Sequence, residues 1–397
     1  SDKGHFDSMF EYGRAIIEKE EIQSKSKEGV KYIQIAADNG NSEAMAYYGL
    51  ICYEGILVEK SKEEAEKYFK KGIEHGNIRA INNYGYMLRY GKEDVNKEEV
   101  VKYFKMAADK GDAYGLNNYA NSLYNGYGIE INYQEAMKYY IMAIDKGDLN
   151  AITSYANMQR DGIGVEPNPN EAIKYYKIGI DKGSISSMLG YAVMLSYGIN
   201  IEANPTEAVK YYKMAIDKGS ASAMSNYGMI LANGISIEAN PTEAVKYYKM
   251  AIDKGEPIAM NNYAHMLQIG QGIPVDYENA IKYYKMAIDR KIGAAMFHYG
   301  EMLENGQGSP VNYSEAIKYY KLAIDENEPR SMLNYAKMLE EGKGVQENIN
   351  EAIKYYKMAI KLNHTGAMAN YGRLLIENEC SDENKCEAVE YIKKAVD

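Results

Sequence analysis

Glycine pairs are the first residues in this sequence that could do chemistry, because closely spaced glycines occur in loops that cradle phosphate groups. They occur at Gly126-Tyr127-Gly128, Gly162-Ile163-Gly164, Gly270-Gln271-Gly272, Gly306-Gln307-Gly308 and Gly342-Lys343-Gly344. None follows a strand pattern, and none has a third glycine or a Lys-Ser/Thr pair. They recur at multiples of 36 residues, as a structural turn would and an active site would not. We therefore interpret them as turns.

Histidine and cysteine are the next candidates, as metal ligands or nucleophiles. The five histidines and three cysteines show neither H-E-x-x-H nor C-x-x-C spacing. His265 and His298 lie 33 residues apart, in the A helices of neighbouring repeats. We interpret them as polar residues of a surface or groove, with a two-histidine metal site as the alternative. Cys380 and Cys386 are interpreted as thiols of a loop, with a terminal disulfide clip as the alternative, and Cys52 is predicted to be buried. The sequence predicts no enzyme, no metal and no cofactor.

Composition excludes other classes of protein. The net charge of −10 disfavours nucleic-acid binding, which depends on lysine and arginine. No run of 18 apolar residues is present, so we expect no membrane insertion. The first residues lack an apolar signal core, and three cysteines are too few for a disulfide scaffold. These features favour a cytoplasmic location.

An internal repeat organises the chain. A Tyr-Gly or Tyr-Ala pair begins at Tyr12, Tyr48, Tyr84, Tyr119, Tyr155, Tyr191, Tyr227, Tyr263, Tyr299, Tyr335 and Tyr371. The spacing is 36 residues everywhere except 35 after Tyr84. We place the repeats at 5–40, 41–76, 77–111, 112–147, 148–183, 184–219, 220–255, 256–291, 292–327, 328–363 and 364–397. This period predicts one all-α domain over 1–397, an α/α superhelical solenoid of eleven helix-turn-helix repeats.

Each repeat is predicted to contain two helices, A and B. Helix A carries the repeat tyrosine on one apolar face, followed by a small residue that allows a neighbouring helix to approach closely. Helix B, for example 171–180, is apolar nearly all round, which indicates packing on more than one side. Tyrosine pairs in helix B, such as Tyr247-Tyr248 and Tyr283-Tyr284, are interpreted as core rather than as base-stacking residues.

Local signals mark both ends of helix B. Asn204-Pro205-Thr206-Glu207 places asparagine at the N-cap, proline at N1 and glutamate at N3. Related signals recur at Asn132-Glu135, Asn168-Glu171, Asn240-Glu243, Asn312-Glu315 and Asn348-Glu351. Gly183, Gly219 and Gly255 are predicted to end helix B, and a serine, asparagine or aspartate after such turns is predicted to cap the next helix A.

The order of these signals resembles the Sel-one-like repeat family, longer relatives of the tetratricopeptide repeat. Residues 151–183 illustrate the match, with Tyr155-Ala156 in helix A, 162–165 in the glycine loop and Tyr175-Tyr176 in helix B. The resemblance covers essentially the whole chain. Repeats six and seven keep only Gly198 and Gly234 of the glycine pair, the third has a shortened link around Gly91, and the eleventh has no such glycine. The resemblance implies a protein–protein interaction scaffold or adaptor. It also implies a second possible location, the endoplasmic reticulum lumen, if the chain is part of a ubiquitin-ligase adaptor.

A partner is expected in a concave groove lined by helix A, at positions −5, −2, +2 and +5 from the repeat tyrosine. Repeats three to five present an amide, tyrosine and arginine zone there: Asn82, Tyr86, Arg89, Asn117, Asn121, Tyr124, Asn157 and Arg160. Such side chains can hold the backbone of an extended peptide. Later repeats add Leu189, Val193, Met229, His265, Phe297 and Leu333, a mainly apolar strip that suits an amphipathic helix. The alternative is that these residues pack against each other.

Three roles remain open at this point. The sequence favours a scaffold or adaptor for a protein partner of unknown identity. A structural component that joins an assembly or filament through its own ends is the second role, and a regulatory repeat region of a larger signalling protein, such as a kinase, is the third. Asp2-Lys3-Gly4 has the register of Asp253-Lys254-Gly255. We therefore expect it to be the tail of a preceding helix B, in a natural protein that continues upstream.

Overall fold

The computed structural model describes residues 2–18, 23–91, 95–235, 237–377 and 389–394, which contain helices and turns and no strand. It divides into two compact units, Ser1–Ala203 and Asn204–Asp397. Unit 1 contains α1 (Asp2–Glu18), α2 (Gln23–Asp38), α3 (Ser42–Glu54), α4 (Lys62–Glu74), α5 (Ile78–Gly91), α6 (Lys97–Asp109), α7 (Ala113–Asn125), α8 (Tyr133–Asp145), α9 (Leu149–Asp161), α10 (Pro169–Asp181) and α11 (Ile185–Tyr197).

Unit 2 continues the alternation of helices. It contains α12 (Pro205–Asp217), α13 (Ala221–Asn233), α14 (Pro241–Asp253), α15 (Pro257–Ile269), α16 (Tyr277–Ile288), α17 (Gly293–Asn305), α18 (Tyr313–Asp325), α19 (Pro329–Glu341), α20 (Ile349–Lys361) and α21 (Thr365–Glu377). Residues 389–394 are also helical. Among the described helices, none is both long and apolar enough to cross a bilayer.

Odd-numbered helices are the predicted A helices and even-numbered ones the predicted B helices. Within each unit, an A helix packs on the B helix of its own repeat, and that B helix packs on the next A helix. A helices of neighbouring repeats also contact each other, α3 with α5 and α9 with α11 in unit 1, and α13 with α15 and α15 with α17 in unit 2. Each unit therefore has a layer of adjacent A helices, and the predicted fold class is confirmed.

Side-chain caps set the start of most B helices. The Asn204 Oδ1 accepts the Glu207 backbone N–H at 3.1 Å, and its Nδ2 donates to the Glu207 carboxylate at 3.3 Å. The backbone bond recurs at Asn132, Asn168, Asn240, Asn312 and Asn348. Gly219 (φ +84°) ends α12, and the Ser220 hydroxyl then caps α13. The predicted capping signals are confirmed, because each satisfies backbone groups that a helix end leaves unpaired.

The glycine pairs are turns, as the sequence predicts. Gly162 ends α9 with φ +69°, and Gly164 follows with φ +76°. A Cβ atom on Gly164 would collide with the Cβ of Tyr133 in the preceding repeat, so the second glycine also permits contact between repeats. In the sixth repeat Asn200 takes the left-handed conformation, with φ +56°, which asparagine tolerates better than most residues.

The tyrosine pairs of helix B build the core of both units. The first ring of each pair packs edge-on against the repeat tyrosine, as in Tyr119–Tyr139, whose ring centroids are 4.7 Å apart. The second ring lies on the small residue of helix A. A Cβ on Gly300 would be 2.7 Å from the Tyr320 ring, so this repeat needs glycine, whereas other repeats hold alanine at the same position, such as Ala120.

Two expectations about particular residues have clear outcomes. Cys52 is buried, as predicted, and burial raises the pKa of its thiol; Cys380 and Cys386 lie outside the described residues. The expectation that Asp2-Lys3-Gly4 ends a helix B is wrong, because these residues form the first turn of α1. At the same register in a later repeat, the Gly219 N–H bonds to the Ile216 carbonyl of α12. That the natural protein continues upstream stays a prediction.

Candidate functional site

The A-helix layer of unit 1 contains a groove of 550 Å³, which we call the unit 1 groove. It lies along α3, α5, α7 and the start of α9. It is lined by Glu43, Ala46, Tyr47, Leu50, Glu54, Arg79, Asn82, Asn83, Tyr86, Asp112, Tyr114, Asn117, Asn118 and Asn150. Three predicted residues, Asn82, Tyr86 and Asn117, are therefore brought together in one cavity.

Apolar and aromatic side chains form one part of the groove. Tyr47 and Leu50 are half-buried residues of α3. Tyr86 and Tyr114 leave 43% and 61% of their surfaces exposed. A tyrosine ring accepts either an apolar side chain or a cation on its face.

Amide side chains form a second part. The Asn118 Nδ2 donates to the Asn82 Oδ1 at 2.9 Å, which links α7 to α5. Asn117 is 6% exposed, and its Oδ1 is buried without a hydrogen-bond partner. Leaving a buried acceptor unpaired costs about 1–3 kcal/mol, so an N–H group from a bound molecule would be favoured at this atom.

Charged side chains border the groove at the ends of its A helices, with Glu43, Arg79 and Asp112 near N-terminal ends and Glu54 at a C-terminal end. Glu43 accepts from the Asn77 Nδ2 at 2.9 Å and faces the Arg79 guanidinium at 3.4 Å. Asp112 caps α7 through the Gly115 N–H at 2.7 Å. Burial raises the pKa of the Asp112 carboxyl, although that bond and the Arg79 charge act in the opposite direction. Glu54, the last residue of α3, is exposed.

The −2 position is more enclosed than the sequence predicts. Asn82 and Asn117 line the unit 1 groove but are only 8% and 6% exposed, and Phe297 in unit 2 is 5% exposed. The reason is the close packing of neighbouring A helices, such as α3 against α5 and α15 against α17, which covers this row. For Phe297, whose ring the Arg330 guanidinium covers, the alternative of mutual packing is the better description.

Two further predicted residues serve the core. The Asn121 Oδ1 accepts the Tyr140 hydroxyl at 2.7 Å, and the Asn157 Oδ1 accepts the Tyr176 hydroxyl. Both tyrosines are second members of a helix B pair, and both are essentially buried. The carbonyls of Asn121 and Asn157 are therefore committed to core hydroxyl groups rather than open to a peptide.

The remaining predicted residues of repeats three to five make contacts outside the groove. The Arg89 guanidinium lies 4.5 Å from the Tyr127 ring centroid. The Tyr124 ring packs edge-on against Tyr133, with centroids 5.6 Å apart. Arg160 forms a bidentate ion pair with Asp161 at 2.6 and 2.7 Å. These contacts hold each side chain in place, and none of the three lines the unit 1 groove.

In unit 2, Met229 and His265 line a separate small cavity of 130 Å³. Asn261, which lies at the same repeat position as Asn117, also lines it; it is 7% exposed, and its Oδ1 is buried without a partner. Burial, with a smaller contribution from His298, lowers the pKa of His265. The cavity holds about one side chain and does not continue as a long apolar strip.

The two histidines meet, but their geometry disfavours a metal ion. The ring centroids of His265 and His298 are 4.8 Å apart. The two ring nitrogens of His298 face the Glu301 carboxylate at 3.3 Å and the Arg330 guanidinium at 3.4 Å, so both already have partners. Across the described ranges, no group of three or more His, Cys, Asp or Glu side chains could hold a metal ion.

The other residues of the predicted apolar strip are spread over both units. Leu189 and Val193 are half-buried on α11 of unit 1. In unit 2 the Arg330 guanidinium covers the Phe297 ring at 4.4 Å. Leu333, half-buried on α19, lies where a side chain on Gly366 would contact it at 3.3 Å. Phe297 and Leu333 therefore make local packing contacts within unit 2.

Sequence reasoning missed most of the groove lining. Tyr47, Asn83 and Asn118 occupy the −1 position, which was not among the predicted columns. Glu43, Arg79, Tyr114 and Asn150 all occupy the −5 position of successive A helices, a predicted column whose residues were not chosen as candidates. Reading that column across repeats two to five would have found them.

The fold and this groove define a class, the helical-pair repeat proteins that present a layer of A helices. The Sel1 repeat model matches residues 7–41, 42–77, 78–112, 113–148, 150–184, 185–220, 221–256, 257–291, 293–328 and 329–364. The chain therefore belongs to the Sel1 repeat family. Proteins with these repeats generally act as protein-interaction scaffolds.

Solved structures agree with this assignment. One is c5321, a protective antigen of uropathogenic Escherichia coli displaying an SLR fold: 22% identity, a TM-score of 0.51, and coverage of 98% of this chain and 84% of that chain. Another is a Sel1 repeat protein from Oxalobacter formigenes: 18% identity, a TM-score of 0.50, and coverage of 78% and 89%. At these identities the likeness establishes the fold alone. No curated protein sequence matches the chain significantly.

Proposed function

We propose that this chain is a scaffold that holds an extended segment of a partner protein in the unit 1 groove. The single observation that carries the proposal is Asn117. Asn117 lines the 550 Å³ cavity, and its Oδ1 is an acceptor buried beneath the cavity surface without a partner; a rotation of the side-chain amide would bring this oxygen to the groove. A peptide backbone supplies N–H donors at regular intervals, so it could satisfy this atom whatever its sequence.

The rest of the lining supports an extended segment rather than a compact ligand. The groove runs along four successive A helices, α3 to α9. Neighbouring helix axes lie about 8–10 Å apart, so three steps span roughly 27 Å. An extended chain covers about 3.3–3.6 Å per residue, and the groove therefore fits about eight residues. Tyr86, Tyr114 and Leu50 would contact side chains while the amides contact the backbone.

The test is a selection followed by affinity measurement. Random peptides of about twelve residues, longer than the span of about eight, are displayed and selected on the full chain. The affinity of a selected peptide is then measured by fluorescence anisotropy for the native chain and for Asn117→Ala. Loss of the acceptor is expected to weaken binding about 10-fold, the equivalent of about 1.4 kcal/mol.

Asn261→Ala is the matched control, because Asn261 has the same repeat position, the same burial and the same unpartnered Oδ1 in unit 2. It is expected to leave the affinity unchanged. Circular dichroism on both variants checks that helical content is retained. Failure to recover any peptide, or equal affinities for the native chain and Asn117→Ala, would overturn the proposal.

A further inference from the structure

We infer that the segment bound in the unit 1 groove is basic, with a lysine or arginine side chain seated against the Glu54 carboxylate. This inference rests on the proposed function and adds the chemistry of the partner. Its starting point is the balance of charges in the groove, which has three carboxylates, Glu43, Glu54 and Asp112, and one guanidinium, that of Arg79. The groove is therefore acidic by two charges when all four groups are ionised.

The single cation is already shared by Glu43 and Asp112, the two carboxylates near the N-terminal ends of α3 and α7. Arg79 lies 3.4 Å from the Glu43 carboxylate, and its charge also acts on Asp112. Both of those carboxylates have further donors, the Asn77 amide and the Gly115 N–H respectively. The negative charge near the N-terminal ends of these helices is thus largely compensated within the protein.

Glu54 is in a different situation. It is the exposed last residue of α3 and forms no ion pair with any residue in the described ranges. A carboxylate at the C-terminal end of a helix meets the negative end of the helix dipole, so an incoming cation would relieve an unfavourable interaction as well as form a new one. Glu54 is the groove residue at which a partner cation would gain most.

The aromatic part of the groove favours the same class of side chain. Tyr86 and Tyr114 are exposed rings of the groove, and the long aliphatic stems of lysine and arginine pack well on such surfaces while their charged ends reach a carboxylate. The chain uses the same pairing between its own repeats: the Lys105 ammonium lies 5.2 Å from the Tyr119 ring centroid and the Lys321 ammonium 5.0 Å from that of Tyr335. A basic partner would continue this pattern.

The experiment uses the displayed peptides and two variants. Lysine and arginine are expected to be enriched in peptides selected on the full chain. Glu54→Gln is expected to weaken a selected peptide about 2- to 5-fold, the range of a surface ion pair, and raised salt should reduce the difference from the native chain. Glu74→Gln is the matched control, since Glu74 is also the exposed last residue of its helix, α4, and lies outside the groove.

The outcomes separate this inference from the proposed function. Peptides that depend on Asn117 but show no basic enrichment, or acidic enrichment, overturn the inference and leave the groove proposal standing. The inference also fails if Glu54→Gln and Glu74→Gln have equal effects, because that result would reflect only the net negative charge of the chain. If no peptide binds in the groove at all, both proposals fail together.

Discussion

The pair formed by Asn121 and Tyr140 gives a prediction that separates a core role from a ligand-binding role. Tyr140 is 1% exposed, and its hydroxyl donates to the Asn121 Oδ1 at 2.7 Å. Asn121→Ala leaves this buried hydroxyl without its acceptor, which costs about 1–3 kcal/mol. Tyr140→Phe removes the hydroxyl while keeping the ring and is expected to cost about 1 kcal/mol. Phe104 occupies the same position in the preceding repeat.

The double variant provides the decisive comparison. Because it removes donor and acceptor together, its cost should fall below the sum of the single costs by about 1 kcal/mol. Repeats can open locally, so the assay is hydrogen–deuterium exchange of the amides in α7 and α8. Asn121→Ala should speed their exchange about 5- to 150-fold, the equivalent of about 1–3 kcal/mol. Strictly additive costs, or unchanged exchange in Asn121→Ala, would refute the reasoning.

Two further predictions concern packing and pH. Gly300→Ala should destabilise unit 2 by about 1–3 kcal/mol in urea denaturation, because its Cβ would lie 2.7 Å from the Tyr320 ring. Gly4→Ala, in α1, is the control, since the new Cβ would meet nothing within 4 Å, and it should be neutral or stabilising. Equal effects of the two substitutions would contradict the packing argument. Burial lowers the pKa of His265 from its ordinary value of 6.5. As the pH falls through that value, this histidine is therefore protonated in the unfolded chain before it is protonated in the folded chain. The free energy of unfolding should decrease between about pH 7 and pH 5.5. His265→Gln should lose less stability over that range in thermal unfolding, and identical losses would contradict the assignment.

The helices and their order could be predicted because each rests on local signals. The spacing of the repeat tyrosines sets the period, Asn204 with Glu207 marks the start of a helix B, and Gly219 marks its end. These residues act on backbone groups a few positions away. The same prediction therefore holds in every repeat that keeps the signal.

The site was harder to predict because it depends on contacts between repeats. Whether Asn117 is open or enclosed depends on how closely α5 and α9 approach α7, a distance that no local signal encodes. The role of Asn121 depends on the position of the Tyr140 hydroxyl, which helix B supplies. One sequence clue existed: Phe69 and Phe104 replace the second tyrosine in repeats two and three, whose +2 residues, Leu50 and Tyr86, are not amides.

The measurement that tests the central claim most directly is a scan of backbone N-methyl groups along a selected peptide. If the Asn117 Oδ1 accepts a backbone N–H, methylation at one position should weaken binding to the native chain about 10-fold. The same peptide should lose almost nothing further on Asn117→Ala, since the acceptor is already gone. A scan with no sensitive position, or a sensitive position that persists in Asn117→Ala, would contradict the claim that this side chain holds the backbone of a partner.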